Sequence, residues 1–279
     1  MSATPVVWLY VPGDRPERFA KALSSGADAV IIDLEDAVAP AAKDRARAHV
    51  ADFLTDDPTA GPPDIQVRVN DLATARGRDD LAAIAGLPGL ASVRLPKVED
   101  TETLDVFDRL VPDTSIAAWA LLESARGLAA TTRIAGHPRV AGLALGEVDL
   151  GAELSITAPT ALDHIRVQTV LAAGAAGLAP VAMSVYANIA DREGLLESSR
   201  HGRTLGMWGR TALHPAQIPA IREAFAPTAE EVARAREVVE AAESAASDGI
   251  GAVALPDGRF LDAPVLAKAQ RVLALAARR

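Results

Sequence analysis

Two carboxylates offer the clearest chemistry in this chain. Glu123 closes the apolar run Ala117-Ala118-Trp119-Ala120-Leu121-Leu122, and Asp149 stands just after Val140-Ala141-Gly142-Leu143-Ala144-Leu145. An apolar run that stops at an acid and gives way to a helical pattern reads as a buried parallel strand with a polar carboxyl end. Where such strands close into one sheet, their carboxyl ends share a mouth, and catalytic groups gather there. Glu123 and Asp149 then face one pocket as hard oxygen ligands, which suits Mg2+ better than zinc with its preference for His or Cys. The chain has no cysteine, which removes thiolate ligands, thiolate nucleophiles and disulfides together.

Other strand ends carry similar groups. Ala29-Val30-Ile31-Ile32 runs into Asp33, Glu35 and Asp36, and such crowding raises carboxylate pKa values unless cations lie nearby. Strand alternation sends Asp33 and Glu35 to the mouth and Leu34 and Asp36 to the other side. Arg68 interrupts the run Ile65-Gln66-Val67-Arg68-Val69-Asn70, and a buried guanidinium needs an anion, either a protein carboxylate or that of a substrate. Lys43 and Arg47 are four apart on one helix face, which by itself describes a solvated surface. Lys97, after Pro96, suits a phosphate or an acidic neighbour. His214 before Pro215 reads as an ordered structural group, and Trp8, Trp119 and Trp208 as packing.

These residues need a scaffold of alternating strands and helices. Strand-like runs occur at 6–11, 29–36, 65–70, 92–98, within 115–127 and 140–150, and at 179–185 and 208–215. Eight such runs predict an α/β fold of the TIM (β/α)8 type over residues 1–225, followed by a C-terminal helical and hairpin extension over 226–279. In the extension, Thr228-Ala229-Glu230-Glu231 signals a helix start, Pro256-Asp257-Gly258 a hairpin turn, and Asp262-Ala263-Pro264 a last helix. A segment this short cannot fold alone and must pack on the barrel or on an adjacent subunit. Hydrophobic residues make up 49% of the 279 residues but aromatics only 4%, so the core rests on small and branched aliphatics. A net charge of −9 argues against a nucleic-acid-binding surface, although a local basic pocket remains open. No targeting pattern and no membrane-length apolar run is visible, so the expected location is the cytoplasm.

Several motifs, taken in order, resemble the HpcH/HpaI aldolase and citrate lyase β-subunit family, especially its CitE-like members that act on β-hydroxyacyl-CoA thioesters. They are Trp8-Leu9-Tyr10-Val11-Pro12-Gly13, Asp33-Leu34-Glu35-Asp36-Ala37-Val38 with Lys43 and Arg47, Arg68-Val69-Asn70 and Leu95-Pro96-Lys97. Glu123-Ser124-Ala125-Arg126-Gly127, Gly146-Glu147-Val148-Asp149-Leu150, His214-Pro215-Ala216-Gln217-Ile218 and Leu261-Asp262-Ala263-Pro264 follow. The likeness spans nearly the whole chain.

The resemblance implies Mg2+ held by Glu123 and Asp149, and Arg68 on the keto-acid carboxylate. It also implies Lys43 and Arg47 near the CoA phosphates, with Lys97 as a further substrate contact. Glu35 and Asp36 match acids that hold metal-bound water and neighbouring side chains, and Asp262 matches an acid supplied by an adjacent subunit in a homotrimer or hexamer. The implied reaction cleaves or forms a β-hydroxyacyl-CoA such as citramalyl-CoA or malyl-CoA, giving an acyl-CoA and a keto acid, pyruvate or glyoxylate; thioester hydrolysis is a second step open to the same site. The chain departs from the family at Met183 and near Asn188, where many relatives carry aspartate, and at Val6-Val7, where an arginine is common. A CoA-independent pyruvate aldolase would want a histidine near the first helix, whereas the first histidine is His49. A non-catalytic acyl-CoA-binding subunit would bind CoA tightly without turnover.

Overall fold

The structure, a computed structural model, describes residues 4–56, 63–247, 253–254 and 260–277. The chain divides into two compact units, Met1–Phe225 and Ala226–Arg279. In the first, six β-branched and alanine-rich runs form strands β1 (Val7–Pro12), β2 (Ala29–Asp33), β3 (Asp64–Arg68), β4 (Ser92–Leu95), β5 (Ala117–Leu122) and β6 (Val140–Leu145), with β7 (Arg210–Ala212) completing the sheet. All pairs are parallel and the order is β6-β5-β4-β3-β2-β1-β7, so each strand lies beside its predecessor and β7 returns to β1.

Between the strands run α1 (Phe19–Leu23), α2 (Lys43–Thr55), α3 (Ala75–Ile84), α4 (Glu102–Leu110), α5 (Ala125–Ala135), α6 (Glu147–Leu154), α7 (Pro159–Ala175) and α8 (Arg192–Thr204), and α9 (Ile218–Phe225) follows β7. Parallel neighbours require such crossovers. One face of the sheet packs Val7, Leu9, Val30, Ile32, Ile65, Val67 and Val93 against helix residues such as Val50, Leu54, Leu81, Ile84 and Phe107. The alternate residues build a separate inner cluster of Trp8, Ala29, Ile31, Trp119 and Ala182. Trp8 and Trp119 meet edge to face with centroids 5.9 Å apart. Gly142 makes room for this arrangement, since a Cβ there would lie 2.5 Å from the Trp119 ring.

The run expected as a seventh barrel strand, 179–185, forms no ladder of its own; its one strand-like pairing is an isolated bridge from Met183 to Arg210. Pro180 has no N–H to give, and only scattered bonds remain. Ala179 N donates to Ala141 O, Met183 N to Gly209 O, and Trp208 N donates to Val181 O. The observed sheet is therefore a curled, parallel, seven-stranded half-barrel, and the segment 179–185 crosses from β6 to β7 as irregular chain. A second difference concerns β2, where the expected alternation ends at Asp33. The Asp33 carboxylate accepts the N–H groups of Glu35 and Ala37, which turns the backbone out of the strand and brings Asp36 back to the same side as Glu35.

The second unit contains α10 (Ala229–Ser247), the antiparallel pair β8 (Val253–Ala254) and β9 (Phe260–Leu261), and α11 (Ala263–Ala276). The expected capping signal is realised reciprocally: Glu231 N donates to Thr228 Oγ1, and Thr228 N donates to Glu231 Oε2. Ala235, Val238, Leu261 and Ala269 form its small core. The turn residues Pro256, Asp257 and Gly258 lie outside the described residues.

Candidate active site at the strand ends

Glu123 follows β5 and Asp149 sits in the first turn of α6, just beyond β6. Glu123 is 8% exposed, and its Oε1 accepts the Lys97 backbone N–H at 2.8 Å. Lys97 reaches that position with φ of 53°, in the left-handed region. Burial pushes the Glu123 carboxyl up, the Lys97 N–H pulls it down, and the nearby Asp149 charge raises it again; the net direction is upward. Gly146 lies between the two acids. A Cβ at Gly146 would fall 2.9 Å from Glu123 Oε2 and 3.4 Å from Asp149 Oδ2, so both carboxylates border one small space that only glycine leaves open.

That space fits a hard divalent cation by its donor set, two carboxylates with a solvent-open side. Among the described residues no group of three or more His, Cys, Asp or Glu side chains surrounds a metal-sized site, so further ligands would be water or substrate.

Arg68, at the end of β3, is held by three acids. Its Nε and Nη2 form a bidentate pair with Asp33 at 2.7 Å each. Its Nη1 lies 2.7 Å from Glu35 Oε2, off the hydrogen-bonding axis, and 3.4 Å from Asp36 Oδ2. Burial works against the Arg68 charge, but the Asp33 bonds and the fields of Tyr10, Asp33 and Glu35 outweigh it and raise its pKa. Glu35 bears the opposite cost: burial pushes its carboxyl up to about 7 despite Arg68, with Asp36, Glu123 and Asp33 adding repulsion. Asp33 is thus the firm partner of Arg68, and Glu35 is the member of the cluster that titrates near neutrality. Lys97 Nζ approaches Glu35 Oε1 at 3.7 Å with its side chain 57% exposed. Asp36 is largely exposed.

A cavity of about 450 Å3 opens at these strand ends, lined by Arg68, Asp33, Asp36, Glu123 and Asp149 among others. A second cleft of about 630 Å3 shares Glu123 and Asp149 and adds Lys97, Arg78 and Arg126.

Lys43 and Arg47 have inward partners. Lys43 Nζ donates to Leu34 O, Glu35 O and Asn70 Oδ1 at 2.6–2.9 Å, which uses all three of its protons. Arg47 pairs with the fully buried Asp80 at 2.7 Å and with Asp44 at 3.2 Å. In this structure Lys43 therefore braces the loop that carries Glu35 with all three of its donors, and Arg47 holds Asp80 on α3. Asp80 also accepts the Asn70 N–H and side-chain amide, and sequence reasoning missed it. The signal was present, because Gly77, Asp80, Leu81 and Ile84 share the buried face of α3. Arg94, buried in β4, was missed as well. Asp262, in the second unit, caps α11 through the Val265 N–H at 3.1 Å. His214 accepts the Ala216 N–H, a structural role as expected.

The HpcH/HpaI aldolase/citrate lyase family model matches residues 7–215, which take in every strand of the sheet. The chain belongs to that family. It is 37% identical over 273 residues to a (3S)-malyl-CoA thioesterase of Cereibacter sphaeroides, covering 96% of this chain and 93% of that one. It is 38% identical over 274 residues to a citrate lyase subunit beta-like protein of Mycobacterium tuberculosis, covering 95% and 93%. Among solved structures, CitE of M. tuberculosis in complex with magnesium, acetoacetate and coenzyme A aligns with a TM-score of 0.83 at 36% identity, over 99% of this chain and all (100%) of that one. Members of the family thus carry Mg2+ and CoA in a like fold. Among the described residues no helix is long and apolar enough to cross a membrane.

Proposed function

We propose that this chain is a Mg2+-dependent carbon–carbon lyase that cleaves a β-hydroxyacyl-CoA into an acyl-CoA and a short 2-oxo acid, malyl-CoA and citramalyl-CoA being the simplest candidates. The observation that carries this is the convergence of Glu123 and Asp149 on the space at Gly146, in the wall of a cavity that also contains Arg68. Mg2+ held by Glu123 and Asp149 would supply Lewis-acid polarisation of the acid half's oxygens. Arg68, fixed by Asp33, presents the remaining N–H groups of Nη1 and Nη2 as a preorganised donor for the substrate carboxylate.

Loss of the hydroxyl proton starts the cleavage. The oxygen pair forms the new C=O of the 2-oxo acid, and the broken C–C pair passes to the thioester as an enolate, which takes up a proton at carbon. Besides Asp149, Asp36 is the exposed carboxylate that this unit offers in the cavity wall to take the hydroxyl proton and return it to the enolate carbon, and Asp262 is the one that the family resemblance implies from an adjacent subunit for the same shuttle. Glu35 fits a positioning role behind Arg68. Lys97 faces the second cleft, which has the size and the basic groups for part of a CoA. Residues 226–279 would pack on the barrel or on an adjacent subunit of a cytoplasmic homotrimer or hexamer.

The relative named (3S)-malyl-CoA thioesterase favours a second reading, hydrolysis of the thioester at the same site. One assay separates the readings. Purified protein with Mg2+ is given malyl-, citramalyl- and citryl-CoA, and keto acid and free thiol are followed together. Keto acid without thiol is the expected result, thiol release marks hydrolysis, and tight CoA binding with neither product marks a non-catalytic subunit. Asp149→Ala, at an exposed residue, should abolish Mg2+-dependent turnover and leave the melting temperature within about 2 °C, the effect of a surface change of about 0.5 kcal/mol. Unchanged turnover in that variant removes Asp149 from the reaction.

A further inference from the structure

Asp80 is fully buried on α3, yet only one of its oxygens serves an ion pair. Oδ1 accepts from Arg47 Nε at 2.7 Å, whereas Oδ2 accepts the Asn70 backbone N–H at 3.0 Å and the Asn70 side-chain amide at 2.5 Å. Asn70 lies two residues after Arg68. Its amide also donates to Leu34 O at 3.0 Å, and its Oδ1 accepts from Lys43 Nζ at 2.6 Å. Lys43 gives its other two protons to Leu34 O and Glu35 O. The Leu34 N–H in turn donates to Arg68 O at 2.8 Å.

The packing behind these bonds leaves no slack. A Cβ at Gly77 would lie 2.4 Å from Asn70 O and 2.2 Å from Asp71 O, so α3 is seated directly against the chain leaving β3. A buried carboxylate needs partners, and a pair with Arg47 alone would already tie α2 to α3. The bonds through Asn70 and Lys43 do something else. They fasten together two segments whose side chains meet in the cavity, where Glu35 Oε2 stands 2.7 Å from Arg68 Nη1 and Asp33 takes Arg68 Nε and Nη2. Asp80, Asn70 and Lys43 do not line that cavity, so whatever they contribute is delivered from behind.

We propose that Asp80 is a positioning residue for Arg68, acting through Asn70 and Lys43 to lock the turn 34–37 against the end of β3 and so to aim the guanidinium into the cavity. Displacement of a positioning group by about 1 Å can cost roughly 100-fold, which is why a rear clamp of this kind matters to a site it never touches. The proposal rests on the reading of Arg68 as donor to the substrate carboxylate, and it adds the residues that hold it there.

The test is calorimetric titration of Mg2+, and of pyruvate and glyoxylate at saturating Mg2+, into the full chain well below its melting temperature. Wild type is compared with Asp80→Asn, Lys43→Met and the double variant. Asp80→Asn keeps the shape and one oxygen of the side chain, and Lys43→Met keeps the length of the stem. Each single variant should weaken the 2-oxo acid about tenfold or more while Mg2+ affinity stays within about twofold. The double variant should lose less than the product of the two single losses, because both act through one turn. Arg139→Met, which removes a buried cation beside the start of β6, is the control: it should lower the melting temperature and leave both affinities in place. Should Asp80→Asn not fold, Lys43→Met decides. Unchanged 2-oxo acid affinity in the single variants, equal weakening of acid and Mg2+ as a merely structural role requires, or losses that multiply in full overturn the positioning role and leave the lyase reading standing. Wild type that binds Mg2+ but neither acid overturns the reading of Arg68 and this proposal with it.

Discussion

Gly146→Ala isolates the geometry on which the metal site depends. The backbone at Gly146, with φ of −93° and ψ of 72°, is open to any residue, so the substitution acts through its methyl group alone. That methyl would stand 2.5 Å from Glu123 Cβ and 2.9 Å from Glu123 Oε2. Glu123 is buried and tied to the Lys97 N–H, so it cannot swing away without losing that bond. Overpacking of this kind costs about 1–3 kcal/mol. If about 1.4–2.8 kcal/mol of it falls on the ligand-competent arrangement, Mg2+ affinity drops roughly 10- to 100-fold. Gly142→Ala is the control: its methyl would lie 2.5 Å from the Trp119 ring, which destabilises the fold without touching either acid. Mg2+ affinity by calorimetry and thermal melts with and without Mg2+ separate the two. Should Gly146→Ala bind Mg2+ as wild type does, or should Gly142→Ala lose it equally, the two-carboxylate site is wrong.

Three further outcomes follow from named contacts. Glu35, held up to about 7 by burial, should stabilise the fold fully below its ordinary value near 4.5 and lose that contribution as pH rises through 7. The change is about 3 kcal/mol. Glu35→Gln should flatten that pH slope in metal-free denaturant melts. Asp80→Ala leaves the Arg47 Nε and the Asn70 backbone N–H without an acceptor and should cost about 3 kcal/mol or more by urea denaturation. Asp262→Ala should cost about 1 kcal/mol through loss of the α11 cap. Asp262→Ser keeps a cap, so a collapse of turnover in that variant alone marks an acid at work in the reaction, and normal turnover marks a cap only.

The strands that buried apolar runs announce are those that formed ladders, because burial on both faces leaves a parallel strand an unbroken apolar signature. The run 179–185 carries the same signature, yet with Pro180 in it the segment makes one bond to Ala141 and three to residues 208–211 in place of a full ladder, a matter of pairing partners that local sequence does not contain. Glu123 was legible because it closes an apolar run and Arg68 because it interrupts one, whereas Asp149, beyond Glu147, was singled out by the family motif around it. Arg94 interrupts a run in the same way as Arg68, so the signal was there although the residue was missed. The inward use of Lys43 was not, because a lysine on a helix face gives no sign of the three acceptors that 34–35 and Asn70 bring to it from other elements.

At Lys97 a side-chain residue occupies left-handed backbone, a conformation that costs roughly 1–2 kcal/mol outside glycine. The return on that strain is main-chain aim: the amide at 97, rather than any functional group, orients the Glu123 carboxylate. Every amino acid except proline carries the same donor, so position 97 can change its chemistry toward the neighbouring cleft while the cation's cradle keeps its alignment. With the proposed Mg2+ at Glu123 and Asp149, substrate preference and metal geometry would be uncoupled at this single residue, the ammonium at 97 varying as one would tune a handle without moving the hinge.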